Sequence, residues 1–277
     1  MDTQENLVGK LQSRSFNANK ALNSAAIFWF IVAVIGQWFF AYYIAVFYGG
    51  TLVEGNLAAW TKRMIHGFVE GDYLGNSFVL LHILLAFVIT FGGPFQFIPQ
   101  LRTKAKTFHR WNGRLYTATA LLISIGALYM VWAREAVVGG FFGQLAISGN
   151  ALLIVVFAVM TIRTAMNRNF VAHRKWALRT FLVVSGVWFF RVGFGLWIFL
   201  NNGSAPGSTQ DLTGPFDMFL YFANYLLPIF FLELYFRAQE KGGFISKIGM
   251  AAGLFILTFL TGSGIFMAAQ IFWLPNL

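Results

Sequence analysis

Seven stretches of this chain run for about 20 residues each with almost no charge, and this feature decides most of what the chain can fold into. They cover residues 25–48, 77–98, 111–133, 145–162, 176–200, 216–236 and 248–274. At a rise of about 1.5 Å per residue, each is long enough to cross the hydrocarbon core of a bilayer as a helix. No water reaches backbone N–H and C=O groups there, and a helix satisfies them within its own segment. The expected fold class is all-α, a polytopic integral membrane bundle of about seven transmembrane helices. Composition agrees: of 277 residues, 58% are hydrophobic and 11% charged, against roughly a quarter charged in soluble domains. The 33 Phe and nine Trp suit lipid-facing surface and headgroup belts. The first run follows a polar tail and exceeds a signal-peptide core, so it is expected to be retained as a span.

Seven spans put the termini on opposite sides, and the basic residues say which side is which. Sixteen Lys and Arg fall on the tail and the even-numbered connections, whereas Lys62, Arg63 and Arg134 lie on the other side. The positive-inside rule then gives N-in, C-out. The net charge of +10 reads as orientation, and no nucleic-acid partner is expected. Residues 1–277 form a single membrane domain, because no boundary announces a soluble one. In the longest outer connection, Leu57, Trp60, Met64, Ile65 and Phe68 recur at helical spacing, which predicts a short amphipathic helix lying on the outer membrane surface. Residues 201–214 read as an ordinary exposed loop.

The chain has no Cys, which excludes disulfides and thiolate metal sites. Phosphate-binding glycine loops and zinc-protease motifs are absent from the sequence. What is left for chemistry is four histidines and a few charges within the spans. Leu101-Arg102-Thr103 leads to His109-Arg110 and Arg114, and Ile162-Arg163-Thr164 leads to His173-Arg174 and Arg179. The two cytoplasmic connections thus echo each other, each ending where a helix re-enters the membrane. One reading makes His109 and His173 the axial metal ligands of one b-type haem, with Arg110, Arg114, Arg174 and Arg179 around its propionates. The other makes them polar helix-start residues in the headgroup zone. His82 lies near the outer face and needs a partner inside lipid; His66 lies in the outer segment. Arg191, in the outer half of the fifth span, could meet Asp217, Glu135 or His82; Glu233, near the inner face, could meet Arg114 or Arg179. Gly92-Gly93-Pro94-Phe95-Gln96-Phe97 should break the second helix and let a neighbour approach closely, with Gln96 free to serve released backbone groups or to face a ligand.

An ordered set of these residues carries a resemblance. His82, Gly93-Pro94-x-Gln96-Phe97, Leu101-Arg102, His109-Arg110-x-x-Gly113-Arg114-x-Tyr116, Gly139-Gly140, His173-Arg174-x-Trp176-x-x-Arg179 and Arg191 occur in series. This resembles an uncharacterised family of bacterial multi-pass membrane proteins, over a family-like four-helix core at residues 78–195. The resemblance implies a location in the bacterial inner membrane and no particular activity. More distantly, the pattern is similar to two-haem transmembrane cytochromes b, in which alternating helices supply histidines at outer and inner levels. His82, His109 and His173 fall where three such ligands would lie, but the fourth helix offers Ser148 and Asn150 and no His. Two functions follow as expectations. One is a membrane redox protein carrying haem b or a quinone near His109 and His173. The other is a non-enzymatic binding, transport or accessory subunit whose cytoplasmic-side Arg cluster holds an anion or a lipid headgroup. Its expected partners are membrane lipids and a membrane-protein subunit or second copy.

Overall fold

The computed structural model describes residues 2–64, 67–133 and 139–277, with side chains from Phe16 onward except that of Asn276. Ile65, His66, Arg134 and Glu135, singled out above, lie outside the described residues. Every regular element described is helical. α1 (Asp2–Tyr43) passes through a π-helical turn (Ile44–Gly49) into the short α2 (Gly50–Val53). α3 (Tyr73–Gly92) breaks into a 3-10 turn (Pro94–Phe97), and α4 (Pro99–Lys104) leads into α5 (Lys106–Trp132). Then come α6 (Gly140–Met166), α7 (Phe170–Val184), α8 (Gly186–Leu200), α9 (Pro215–Lys241) and α10 (Phe244–Ala268), the last extended by a π-helical turn (Ala269–Trp273). Among the described residues six helices are long and apolar enough to cross a membrane, or seven when α7 and α8, bent by 58° at a short break, are taken as one span. The chain is an all-α polytopic helical bundle.

α3, α5, α6 and α7 pack consecutively against one another. α1 packs on α3 and α10, α10 packs on α8, and α9 covers α6, α7 and α8. Among the described residues three apolar clusters hold the bundle, one of them Leu22, Ala25, Ala238, Ala251 and Leu254 between α1, α9 and α10. Toward the end that the charge asymmetry assigns to the outside lie Phe40, Tyr43, Tyr48, Trp60, Trp188 and Trp273. Further in lie Ile89, Tyr116, Ile154, Phe181 and Val183.

The bend between α7 and α8 is not expected from the apolar run, and its cause is local. Ser185 Oγ donates back to the Phe181 carbonyl at 2.8 Å and accepts from Gln37 Nε2 of α1 at 2.9 Å. At Gly186, a Cβ would stand 2.8 Å from Asn150 Nδ2 and 2.9 Å from Asn224 Oδ1. A Ser-Gly pair pressed upon by side chains of three other helices is a sufficient reason for a sharp kink. The Gly139-Gly140 pair has a physical cause too. Gly139 starts α6 with φ 95°, a left-handed conformation that favours glycine, and a Cβ there would collide with the Tyr221 ring.

Two outer segments depart from expectation. Residues 57–62 form a 3-10 helix, and Trp60 points into the bundle, 2% exposed. Its Nε1 donates to Thr51 Oγ1 at 2.7 Å and its ring meets Tyr48 edge-on. The segment therefore caps the bundle end, because the largest apolar side chain on its stripe finds an aromatic cluster to fill. The 201–214 loop is also tied down. Asp217, 0% exposed, accepts hydrogen bonds from Ser208 Oγ at 2.7 Å, Thr209 N at 3.0 Å and Gly214 N at 3.0 Å. Trp197 stacks on Phe216 and donates to the Pro206 carbonyl.

Candidate functional site: a cavity among the helices

The bend at Ser185–Gly186 brings four helices to one polar hub, and a cavity of about 170 Å³ opens beside it. Its walls come from α1 (Gln37, Phe40, Tyr43), α3 (His82, Ala86, Thr90), α5 (Tyr116, Ser124), α6 (Asn150, Ile154), α7 (Phe181, Val184) and α8 (Trp188, Arg191); Met64 and Tyr48 close the outer end. Most of this lining is apolar, yet polar atoms collect on it. Among the described residues, nine buried side-chain nitrogen or oxygen atoms have no hydrogen-bond partner. Five of them belong to residues lining this cavity: Gln37 Oε1, His82 Nδ1, Tyr116 OH, Asn150 Oδ1 and Trp188 Nε1. A buried polar atom left alone costs about 1–3 kcal/mol, so such a cluster around one space marks a place that water or a ligand completes. The space has room for roughly ten waters, or for one ring or headgroup.

Arg191 sets the charge of this space. Its guanidinium sits over the Phe40 ring at 5.2 Å and donates to the Val187 carbonyl of its own helix at 3.3 Å. It lies within electrostatic reach of His82, Tyr43 and Tyr48. Of its three expected neighbours, His82 is the one the structure brings near. Asp217 is committed to the 201–214 loop, and Glu135 is outside the described residues. No Asp or Glu among the described residues lines the cavity.

The inner level is arranged differently. His109 and His173 each lie in the first turn of their helices, α5 and α7, and are close enough to interact electrostatically. His173 Nδ1 is 3.0 Å from the Thr161 carbonyl, while His109 Nδ1 is buried without a partner. The cavity is lined by neither. Around them the arginines diverge. Arg179 makes a two-pronged pair with Glu233, Nε to Oε1 at 2.7 Å and Nη2 to Oε2 at 3.0 Å, and lies 4.5 Å from the Trp176 ring. Lys175 pairs with Glu240. Arg114 leans on the Trp111 ring at 5.0 Å and is exposed, as are Arg110 and Arg174. Carboxylates on α9 thus take up part of the basic cluster expected to hold an anion. Gln96 does not serve the broken end of α3: Asn112 Nδ2 reaches the Gly92 carbonyl at 2.9 Å, and Gln96 Nε2 stays buried without a partner.

His82 and Arg191 are conspicuous in the sequence as polar groups in apolar runs, whereas Tyr116 enters only through the family-like pattern and Asn150 only as a residue standing where a fourth His would lie. Their convergence with Gln37, Ser185 and Trp188 is not visible there. Gln37 gave the clearest unused signal, being the one polar residue in residues 25–48.

The fold and the site together define a membrane-embedded helical protein with a mostly apolar cavity that carries a few polar groups. Residues 79–210, from within α3 through the loop after α8, match the profile of a family described as "Predicted membrane protein (DUF2306)". The match takes in α5, α6 and the bent pair, which form most of the cavity wall. No curated protein and no solved structure matches the chain.

Proposed function

We propose that the protein is a membrane redox protein that binds a quinone-class ring in the core cavity, displaced outward from the His109–His173 level expected from sequence. The observation that carries this reading is the set of five unpartnered polar atoms on one mostly apolar wall. A quinone needs hydrogen-bond donors to its carbonyl oxygens, and a quinol needs acceptors for its hydroxyls. Tyr116 OH and Trp188 Nε1 provide donors; Gln37 Oε1 and Asn150 Oδ1 provide acceptors. Interconversion of the two forms takes two electrons and two protons, the electrons coming from a one-electron carrier such as a haem or iron–sulfur protein. A pocket with an apolar body and a few convergent polar groups is the usual form of a small-molecule site. The test is saturable quenching of tryptophan fluorescence by menadione in protein reconstituted in nanodiscs. Asn150→Leu with Tyr116→Phe should weaken binding about tenfold or more. Unsaturable quenching in the wild type, with no quinone in an organic extract of the purified protein, would sink the proposal.

A second reading, a b-type haem between His109 and His173, is favoured by the bond from His173 to Thr161. A backbone carbonyl on Nδ1 fixes the tautomer and presents Nε2, which is how axial imidazoles are oriented. The donor set suits such a haem, with His109 and His173 as ligands and Arg110 and Arg174 exposed nearby for its propionates. When bound, the group would supply one-electron transfer. A reduced-minus-oxidised spectrum with a b-type band that disappears in His173→Ala supports it. Colourless protein from haem-replete cells overturns it.

A further inference from the structure

We infer that the ring in this cavity is held as an oxyanion and that Arg191 recognises its charge. This rests on the quinone reading above and narrows it to rings carrying a negative oxygen. Arg191 faces a space whose described walls hold no carboxylate. Among the described residues its contacts are an aromatic face and a carbonyl of its own helix, neither of which neutralises it. A cation in apolar surroundings is stabilised strongly by an opposite charge, and a guanidinium offers its donors in a planar fork that suits an oxygen anion. Trp188, 2% exposed and with an unpartnered Nε1–H donor, lines the same space and can serve an anionic oxygen beside Arg191. The site is therefore built around the charge. A neutral ring of the same shape would fill it and leave Arg191 uncompensated.

Two sources give this chemistry. An acidic hydroxyquinone arrives already ionised. A neutral quinone becomes a semiquinone anion when it accepts one electron from a one-electron donor, with no proton taken up in that step. The experiment uses lawsone, a hydroxynaphthoquinone ionised at neutral pH, and its neutral methyl ether, each titrated against the full-length protein in nanodiscs. Wild type should bind lawsone about tenfold more tightly than the ether, and Arg191→Gln should bind both like the ether. Because the wild-type ratio needs no variant, a poorly folding Arg191→Gln leaves the test intact. In a second arm, dithionite is added stepwise to menadione-loaded protein and followed by electron paramagnetic resonance. A persistent organic radical in wild type, lost in Arg191→Gln, identifies the one-electron-reduced source; lawsone preference without a radical identifies the acidic ring. Equal affinity for lawsone and ether overturns the inference while leaving the quinone reading standing. Failure of both to bind ends both. A lawsone preference that appears only in Glu135→Gln would show that Glu135 already neutralises Arg191, and would also overturn the inference.

Discussion

Arg179 and Arg191 lie on the two halves of one bent helix, and their surroundings are opposite. Arg179, on α7, is clamped by both oxygens of Glu233 and flanked by aromatic rings. Arg191, on α8, faces a cavity with one ring beneath it and no carboxylate among the described residues. The sequence sets the two apart, Arg179 in the cytoplasmic-side basic cluster and Arg191 in the outer half of the fifth span, each with acidic candidates elsewhere. The difference separates a charge tied into helix packing from a charge with no carboxylate beside it among the described residues. Asp217 belongs with Arg179, since three donors satisfy its carboxylate. His82, Gln37, Asn150 and Trp188 belong with Arg191, each having an atom without a partner.

If that division is right, the largest loss of stability should come from the most completely satisfied group. Asp217→Ala removes the acceptor of three hydrogen bonds at a site 0% exposed and strands two backbone donors. It should destabilise the protein by about 3 kcal/mol or more. The check is thermal unfolding in detergent, where a melting temperature near wild type would show that the 201–214 loop does not depend on this residue. Next is the joint between the two halves. Gly186→Ala drives a methyl group into Asn150 and Asn224, which should cost about 1–3 kcal/mol. It should also weaken menadione binding, because Asn150 would be displaced from the cavity wall.

Arg179→Gln should follow, at about 1–2 kcal/mol, since Glu233 is 39% exposed and that exposure screens the pair. A double-mutant cycle with Glu233→Gln is the measurement; zero coupling would place Arg179 in the same class as Arg191 and erase the comparison.

The sequence made the fold readable because membrane insertion leaves few options. Continuous apolar runs of that length have to be helices, so spans and class followed directly. Other features depended on contacts between distant residues. The kink at Ser185–Gly186 arises from Gln37, Asn150 and Asn224, which come from three other helices. Trp60 turned inward because Tyr48 and Thr51 happen to meet it. The candidate site was half legible for the same reason. His82 and Arg191 stand out as polar residues in apolar runs, but only packing shows that they share a space, and that Asp217 is taken up elsewhere. His109 and His173 drew attention through a repeated motif, whereas Gln37 had no motif and was passed over.

The smallest stability effect is expected at Arg191, and it sharpens the comparison most. Arg191→Gln removes a cation–π contact with Phe40, worth about 0.5–2 kcal/mol, and relieves an uncompensated charge in apolar surroundings, a gain of similar size. The two nearly cancel, so the ligand-free stability should stay within about 0.5 kcal/mol of wild type. Ligand response should not cancel. A compound that binds only the folded state raises stability by an amount set by its concentration over its Kd, so saturating lawsone should raise the melting temperature of wild type and leave that of Arg191→Gln almost unchanged. Arg179→Gln should behave in the reverse way, with a lower starting temperature and a full lawsone shift. A large loss of ligand-free stability in Arg191→Gln would mean that this arginine is structural, and the two halves of the bent helix would then differ only in which residues hold them.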